Sequence, residues 1–169
     1  FDVKEIELKP INEQPTIVKD KVVVKDKNDM PIASISYKIP VKEFGDLTKK
    51  EIDIASYLIT TCELSKTSDF NEYLKNSHLV VGGLGYYYQF YDDYLIFTLI
   101  GNTDKPKELI KEIRNKISSL DVSVEDVERK KRAICKIMKL LIIQKIIKLF
   151  MIRIRMVYKI IINIILLVI

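Results

Sequence analysis

The chain has 169 residues with a formal charge of +5; 48% are apolar, 30% are charged, and there are two cysteines and one histidine. That is the length of one domain with room for one core, in the composition range of a globular protein. One histidine is too few for a zinc centre of the usual His-rich kind, and no basic stretch followed by a short apolar run marks a secretory leader.

The chain starts at Phe1 rather than Met, so it is expected to be a piece cut from a longer protein. Cys62 and Cys135 fit no C-x-x-C or ligand spacing and read as reduced, mostly buried thiols, which implies a cytoplasmic location. The net charge hides a division. Residues 1–128 hold all 23 Asp and Glu against 17 Lys and Arg, a balance of −6, while the rest carries +11. The basic character belongs to the tail alone, so no nucleic-acid partner is expected for the acidic body.

Residues 1–19 are polar, contain Pro10 and Pro15, and read as an extended entry or linker. Lys21 to Lys25 and Ile32 to Ile39 are β-rich runs separated by the turn-forming Lys27-Asn28-Asp29. The second run alternates Ile35, Tyr37 and Ile39 with Ser34, Ser36 and Lys38, the period of a strand buried on one face. Beyond Pro40 and Gly45, Asp46 or Thr48 can cap a helix whose apolar positions Leu47, Ile52, Ala55, Leu58, Ile59 and Cys62 predict it as far as Leu64. A short helical turn over Asp69 to Asn76 follows.

Gly82-Gly83-Leu84-Gly85 leads into Tyr86 to Tyr91, then Asp92-Asp93, then Tyr94 to Ile100, which predicts a hairpin around an acidic turn. Pro106 opens a helix with the stripe Leu109, Ile110, Ile113 and Ile117, and Ser123 with Asp126 has the spacing of a capping box for another. The order ββααββαα, with strands paired and helices grouped after them, implies α+β: helices on one face of a mostly antiparallel sheet.

From Met138 to Ile169 the character changes, with no Gly, Pro, Ser, Thr, Ala, Asp or Glu. A transmembrane span fits poorly, because the longest stretch free of Lys and Arg is the ten residues 160–169. Three readings stand side by side. The tail is a frameshift product, since Ile, Lys, Leu, Asn, Met, Phe and Tyr are what A/T-rich codons spell in almost any frame. Or it is a cationic helix on a membrane surface, using Lys145, Lys148 and Arg155. Or it is a native buried helix.

No catalytic constellation emerges. His78 stands alone between a short helix and an apolar run and reads as structural or exposed. The glycine cluster at 82–85 precedes a strand rather than a helix and lacks Gly-Lys-Ser/Thr, so it reads as a bend or bulge and not as a phosphate loop. Ser65 and Ser68 have no nucleophile elbow. The aromatic run Tyr86, Tyr87, Tyr88, Phe90, Tyr91 can supply stacking or strand contacts, or simply alternate between core and surface.

The order of local phrases resembles the non-catalytic domain of the M16 (insulinase/pitrilysin-like) metallopeptidases, especially the bacterial two-domain zinc-dependent group. The resembling passages are PIASISYKIP, then KKEIDIASYLITTCELSKTSDFNEYLKNSHLV, the aromatic hairpin, LIGNTDKPKELIKEI and VSVEDVERKKRAICK. They divide the chain into an entry at 1–19, an incomplete domain at 20–137 and an aberrant tail at 138–169. The resemblance implies a LuxS/MPP-like metallohydrolase fold, truncated, that closes a chamber around an extended peptide and is inactive alone. It implies a catalytic M16 domain as partner, in the same parent chain or another subunit. Zinc would sit in that domain, and this chain carries no zinc ligand or catalytic Glu. Tyr86, Tyr88 and Phe90 are the expected peptide contacts. A membrane partner, with the chain acting as an interaction module that docks through its basic C-terminal helix, is expected only if the tail is genuine.

Overall fold

A computed structural model describes residues 17, 19–25, 30–91, 93–123, 125–127 and 163–168. The linker residues 1–16, the turn residues Asp26 to Asp29 and residues 128–162 lie outside this set, as do Cys135 and the basic positions of the tail.

The central strand is β2 (Ile32–Pro40), which follows the edge-forming β1 (Lys21–Val24). Ile35, Tyr37 and Ile39 of β2 are buried, as the alternation predicts. After a 3-10 turn over Val41–Phe44, α1 (Lys49–Ile59) begins with a complete capping box. Thr48 accepts from the Glu51 amide at 3.3 Å and the Glu51 carboxylate accepts from the Thr48 amide at 2.8 Å. These bonds hold the Glu51 carboxyl below the usual carboxylate range, the backbone bond being the larger cause.

The helix predicted to run to Leu64 stops being α at Ile59 and continues as a π turn over Thr60–Leu64. Around the change Ser56 donates to the Ile52 carbonyl at 2.8 Å, and Thr60 to those of Ser56 at 2.8 Å and Tyr57 at 3.1 Å, beside the Thr60 amide, which bonds the same two carbonyls. Next comes α2 (Asp69–Asn76), capped by Ser68. It ends in a Schellman arrangement, with the Leu79 amide on the Leu74 carbonyl at 2.9 Å and His78 at φ 51°. The lone histidine is thus an exposed helix terminator.

The hairpin is longer than predicted. Its strands β3 (Val81–Phe90) and β4 (Tyr94–Asn102) include the glycine cluster, with a register shift between Val81 and Gly85. The α3 helix (Pro106–Ser118) starts at its proline and buries Leu109, Ile110, Ile113 and Ile117. Ser123 caps the helical residues Glu125 to Val127, its Oγ accepting from the Asp126 amide at 3.0 Å.

A fifth strand comes from the tail. β5 (Asn163–Val168) lies between β1 and β2, parallel to the first and antiparallel to the second, giving the order β1-β5-β2-β4-β3. Over these six residues the helical readings of the tail do not hold. The uncharged Ile and Leu run fills a slot where both backbone edges find partners. Every other strand pair is antiparallel, and the fold is α+β as the sequence implies.

Helices cover one face of this sheet. Ile39 and Phe97 border a small apolar cavity together with Ile59 and Leu64 from the helix layer and Leu120 beyond α3. A Cβ on Gly101 would meet Val80 at 2.8 Å and Leu109 of α3 at 3.3 Å, so only glycine lets β4 lie this close to that layer. Leu95, Phe97 and Leu99 of β4 face the same way, beside Ile39, Tyr37 and Ile35. Each such fully buried Leu or Ile contributes about 1.5–3 kcal/mol relative to exposure. The other face is more polar: Ser36 and Thr98 share a hydrogen bond at 2.8 Å, and Lys38 lies 4.2 Å from the centroid of Tyr94.

Candidate peptide-binding edge

The strand at one margin of the sheet is β3, and the direction of its backbone groups follows from two bonds. The Tyr91 amide donates across the hairpin to the Tyr94 carbonyl at 2.8 Å. The amide and carbonyl of Leu84 instead meet the side chain of Asn71, at 2.9 Å to Oδ1 and 3.0 Å from Nδ2. Backbone groups alternate in direction along an antiparallel strand. Gly85, Tyr87, Gln89 and Tyr91 therefore pair toward β4, while Leu84, Tyr86, Tyr88 and Phe90 face outward.

Asn71 closes the first of these outward positions. It is fully buried, accepts from the Leu84 amide, and donates to the carbonyls of Leu84 and Leu64, the latter at 3.3 Å. Its amide takes the place of a neighbouring strand for one residue. Gly83 makes room for it: with φ 99°, a Cβ there would sit 2.8 Å from Asn71 Oδ1. Beyond this clamp, no described residue pairs with the outward backbone groups of Tyr86, Tyr88 and Phe90. Their three amides and three carbonyls form an edge able to accept an extended segment.

The side chains of the same three residues point to the helix side, where they are half-buried against the core, with Tyr88 and Phe90 edge-to-face at 6.4 Å. Tyr87, 54% exposed, projects from the opposite face. The three residues expected from the sequence as peptide contacts are thus brought together on one edge, and it is their backbone that no described residue pairs with. Asp53 and Tyr57 lie one turn apart on the exposed stripe of α1. Burial is the main cause that pushes the Tyr88 hydroxyl up to about 12, with the Asp53 charge, Tyr86 and Tyr57 adding to it.

Sequence reasoning missed Asn71, Asp53 and Tyr57. For Asn71 a signal existed: it is a polar residue three positions before Leu74, on the buried stripe of α2.

A second concavity of about 500 Å³ is lined by Cys62, Glu63, Phe70, Lys116 and Asp126, among others. Glu63 and Lys116 pair across it. Among the described residues no group of three or more His, Cys, Asp and Glu could hold a metal ion, and no helix is long and apolar enough to cross a membrane.

No family model and no curated protein matches the chain in sequence. Solved structures do match in fold. An M16-like peptidase from Alicyclobacillus acidocaldarius aligns with a TM-score of 0.61 at 14% identity over 89% of this chain and 43% of its own. A protease from Helicobacter pylori gives 0.59 at 11% identity over 88% and 43%, and pitrilysin 0.55 at 11% over 95% and 21%. The fold is M16-like. This chain spans less than half the length of each of these proteins.

Proposed function

We propose that the chain is the non-catalytic, chamber-forming half of an M16-like zinc metallopeptidase, and that it binds extended peptide through the open stretch of β3. The observation that carries the binding role is the outward backbone of Tyr86, Tyr88 and Phe90 next to the closed position at Leu84. The M16-like fold and the alignment over 43% of two longer peptidases support the role of a half. In this reading the zinc and the general base belong to a catalytic M16 domain that packs against this one. This chain contributes six backbone groups, each hydrogen bond adding about 0.5–1.5 kcal/mol net to peptide binding.

The test pairs two measurements on the full chain. Fluorescence anisotropy with a labelled, unstructured peptide should show saturable binding, lost when alternate amides of the peptide are N-methylated. Incubation of the chain with the same peptide and added zinc should leave it intact. Zinc-dependent cleavage by the chain alone would overturn the non-catalytic assignment, and indifference to N-methylation would overturn strand addition at the edge.

A further inference from the structure

The sheet that ends at β3 has two unlike faces, and a strand added there inherits both. On the helix side Leu99, Phe97 and Leu95 of β4 are buried and stand directly beside Tyr86, Tyr88 and Phe90. Cover is nearly complete on β4 and falls to about half on β3, although the β3 rings pack on the same core. On the opposite face the rows are more polar. Tyr87 stands beside Thr98, which bonds Ser36, and Gln89 stands beside Ile96, whose other neighbour is Lys38. Both Tyr87 and Gln89 are exposed.

We infer that the edge selects amphipathic extended peptides, with apolar side chains at three alternate positions and polar ones at the two between. Residues paired across neighbouring strands project to the same face. A peptide residue opposite Tyr86, Tyr88 or Phe90 therefore lands on the helix side and lengthens a row that ends on the β3 ring. An apolar side chain there covers ring surface that the core leaves to water, whereas a polar one is taken out of water against hydrocarbon. The peptide residues between them fall beside Tyr87 and Gln89, where a phenol hydroxyl and a side-chain amide can bond a polar group. The clamp at Asn71 sets the length. With Leu84 closed and the hairpin turning at Tyr91, the incoming strand has only three outward positions to pair with. A segment of about five residues fills them.

This inference rests on edge binding, and the experiment separates the two. Three fluorescein-labelled, blocked pentapeptides are titrated with the full chain: Val-Thr-Val-Thr-Val, its permutation Thr-Val-Val-Val-Thr, and Thr-Thr-Thr-Thr-Thr. Valine and threonine share a branched shape and a strand preference, so backbone pairing is matched and only the placement of apolar groups differs. The first peptide can set all its valines on the helix side, and the second cannot in any register. The alternating peptide should bind about three- to tenfold more tightly than its permutation, and the all-threonine peptide most weakly. Tyr87→Ser, at an exposed position on the opposite face, should leave that margin in place. Equal binding of the permuted pair, or a margin that vanishes in Tyr87→Ser, overturns the amphipathic preference and leaves the edge standing. Failure of all three peptides to bind overturns the edge along with it, and a chain that then sediments as a dimer points to a second copy as the occupant.

Discussion

The two margins of the sheet are built in opposite ways. On one side β2, β4 and β3 come from a continuous stretch of chain, alternate cleanly between faces, and bury Ile35, Leu95 and Leu99 under helices supplied by the same stretch. On the other side β1 and β5 come from far apart in the sequence, and Val23 and Val24 of β1 remain 49% and 44% exposed. The first half draws its stability from side chains packed beneath helices. β1 joins the sheet through its parallel pairing with β5, with two of its valines exposed. Burial, rather than strand pairing alone, should therefore decide how much a substitution costs.

The largest effect should follow Leu99→Ala, which empties a fully buried site and should cost about 2–5 kcal/mol in denaturant unfolding. Val23→Ala, in the exposed half, should stay within about 0.5 kcal/mol. Similar losses from the two would erase the contrast.

Asn71→Ala tests whether one amide can stand in for a strand. It strands buried backbone groups of Leu84 and Leu64, at about 1–3 kcal/mol for each group left unsatisfied. Amide hydrogen exchange should show Leu84 slow in the parent chain, Tyr86 fast in both, and Leu84 becoming fast in the variant.

Smaller changes sharpen the picture further. Thr48→Ala removes the cap of α1 and should cost about 1 kcal/mol, read from the denaturation midpoint. Part of that loss should fade in acid. The folded chain holds Glu51 below its ordinary value, so its contribution is present above the unfolded value near 4.5 and disappears as pH falls through the folded one.

The last effect, confined to alkaline solution, concerns Tyr88, whose hydroxyl is raised from about 10 to about 12 on folding. Its contribution is whole below pH 10 and is lost as pH climbs toward 12, because the unfolded chain releases that proton first. Tyr88→Phe should flatten the alkaline decline of stability, and identical slopes for the two proteins would contradict this.

The same contrast explains what could be read in the sequence. Strands and helices of the local half announce themselves: the alternation around Ile35, the cap at Thr48, the proline at 106 and the hairpin turn at 92–93 each act over a few residues. The π turn was hidden because apolar spacing continues through Cys62 whether the ladder is α or π. β5 was hidden because a run of isoleucines fits helix and strand alike until a slot between two strands chooses. The aromatic residues of the candidate site were legible; which of their groups face outward was not. That depends on the strand order and on Asn71, thirteen residues from the Leu84 it caps.

The position of β5 also bears on how the protein comes into being. β2, β4 and β3 can associate once Asn102 has left the ribosome, but the partner that joins β1 to the sheet arrives only with Asn163 to Val168. At about 5–20 residues per second, the intervening stretch takes roughly 3–13 s to synthesise. Until then β2 lacks on that edge the partner it has in the finished sheet, and an edge left unpaired is a docking point for chaperones and neighbouring chains.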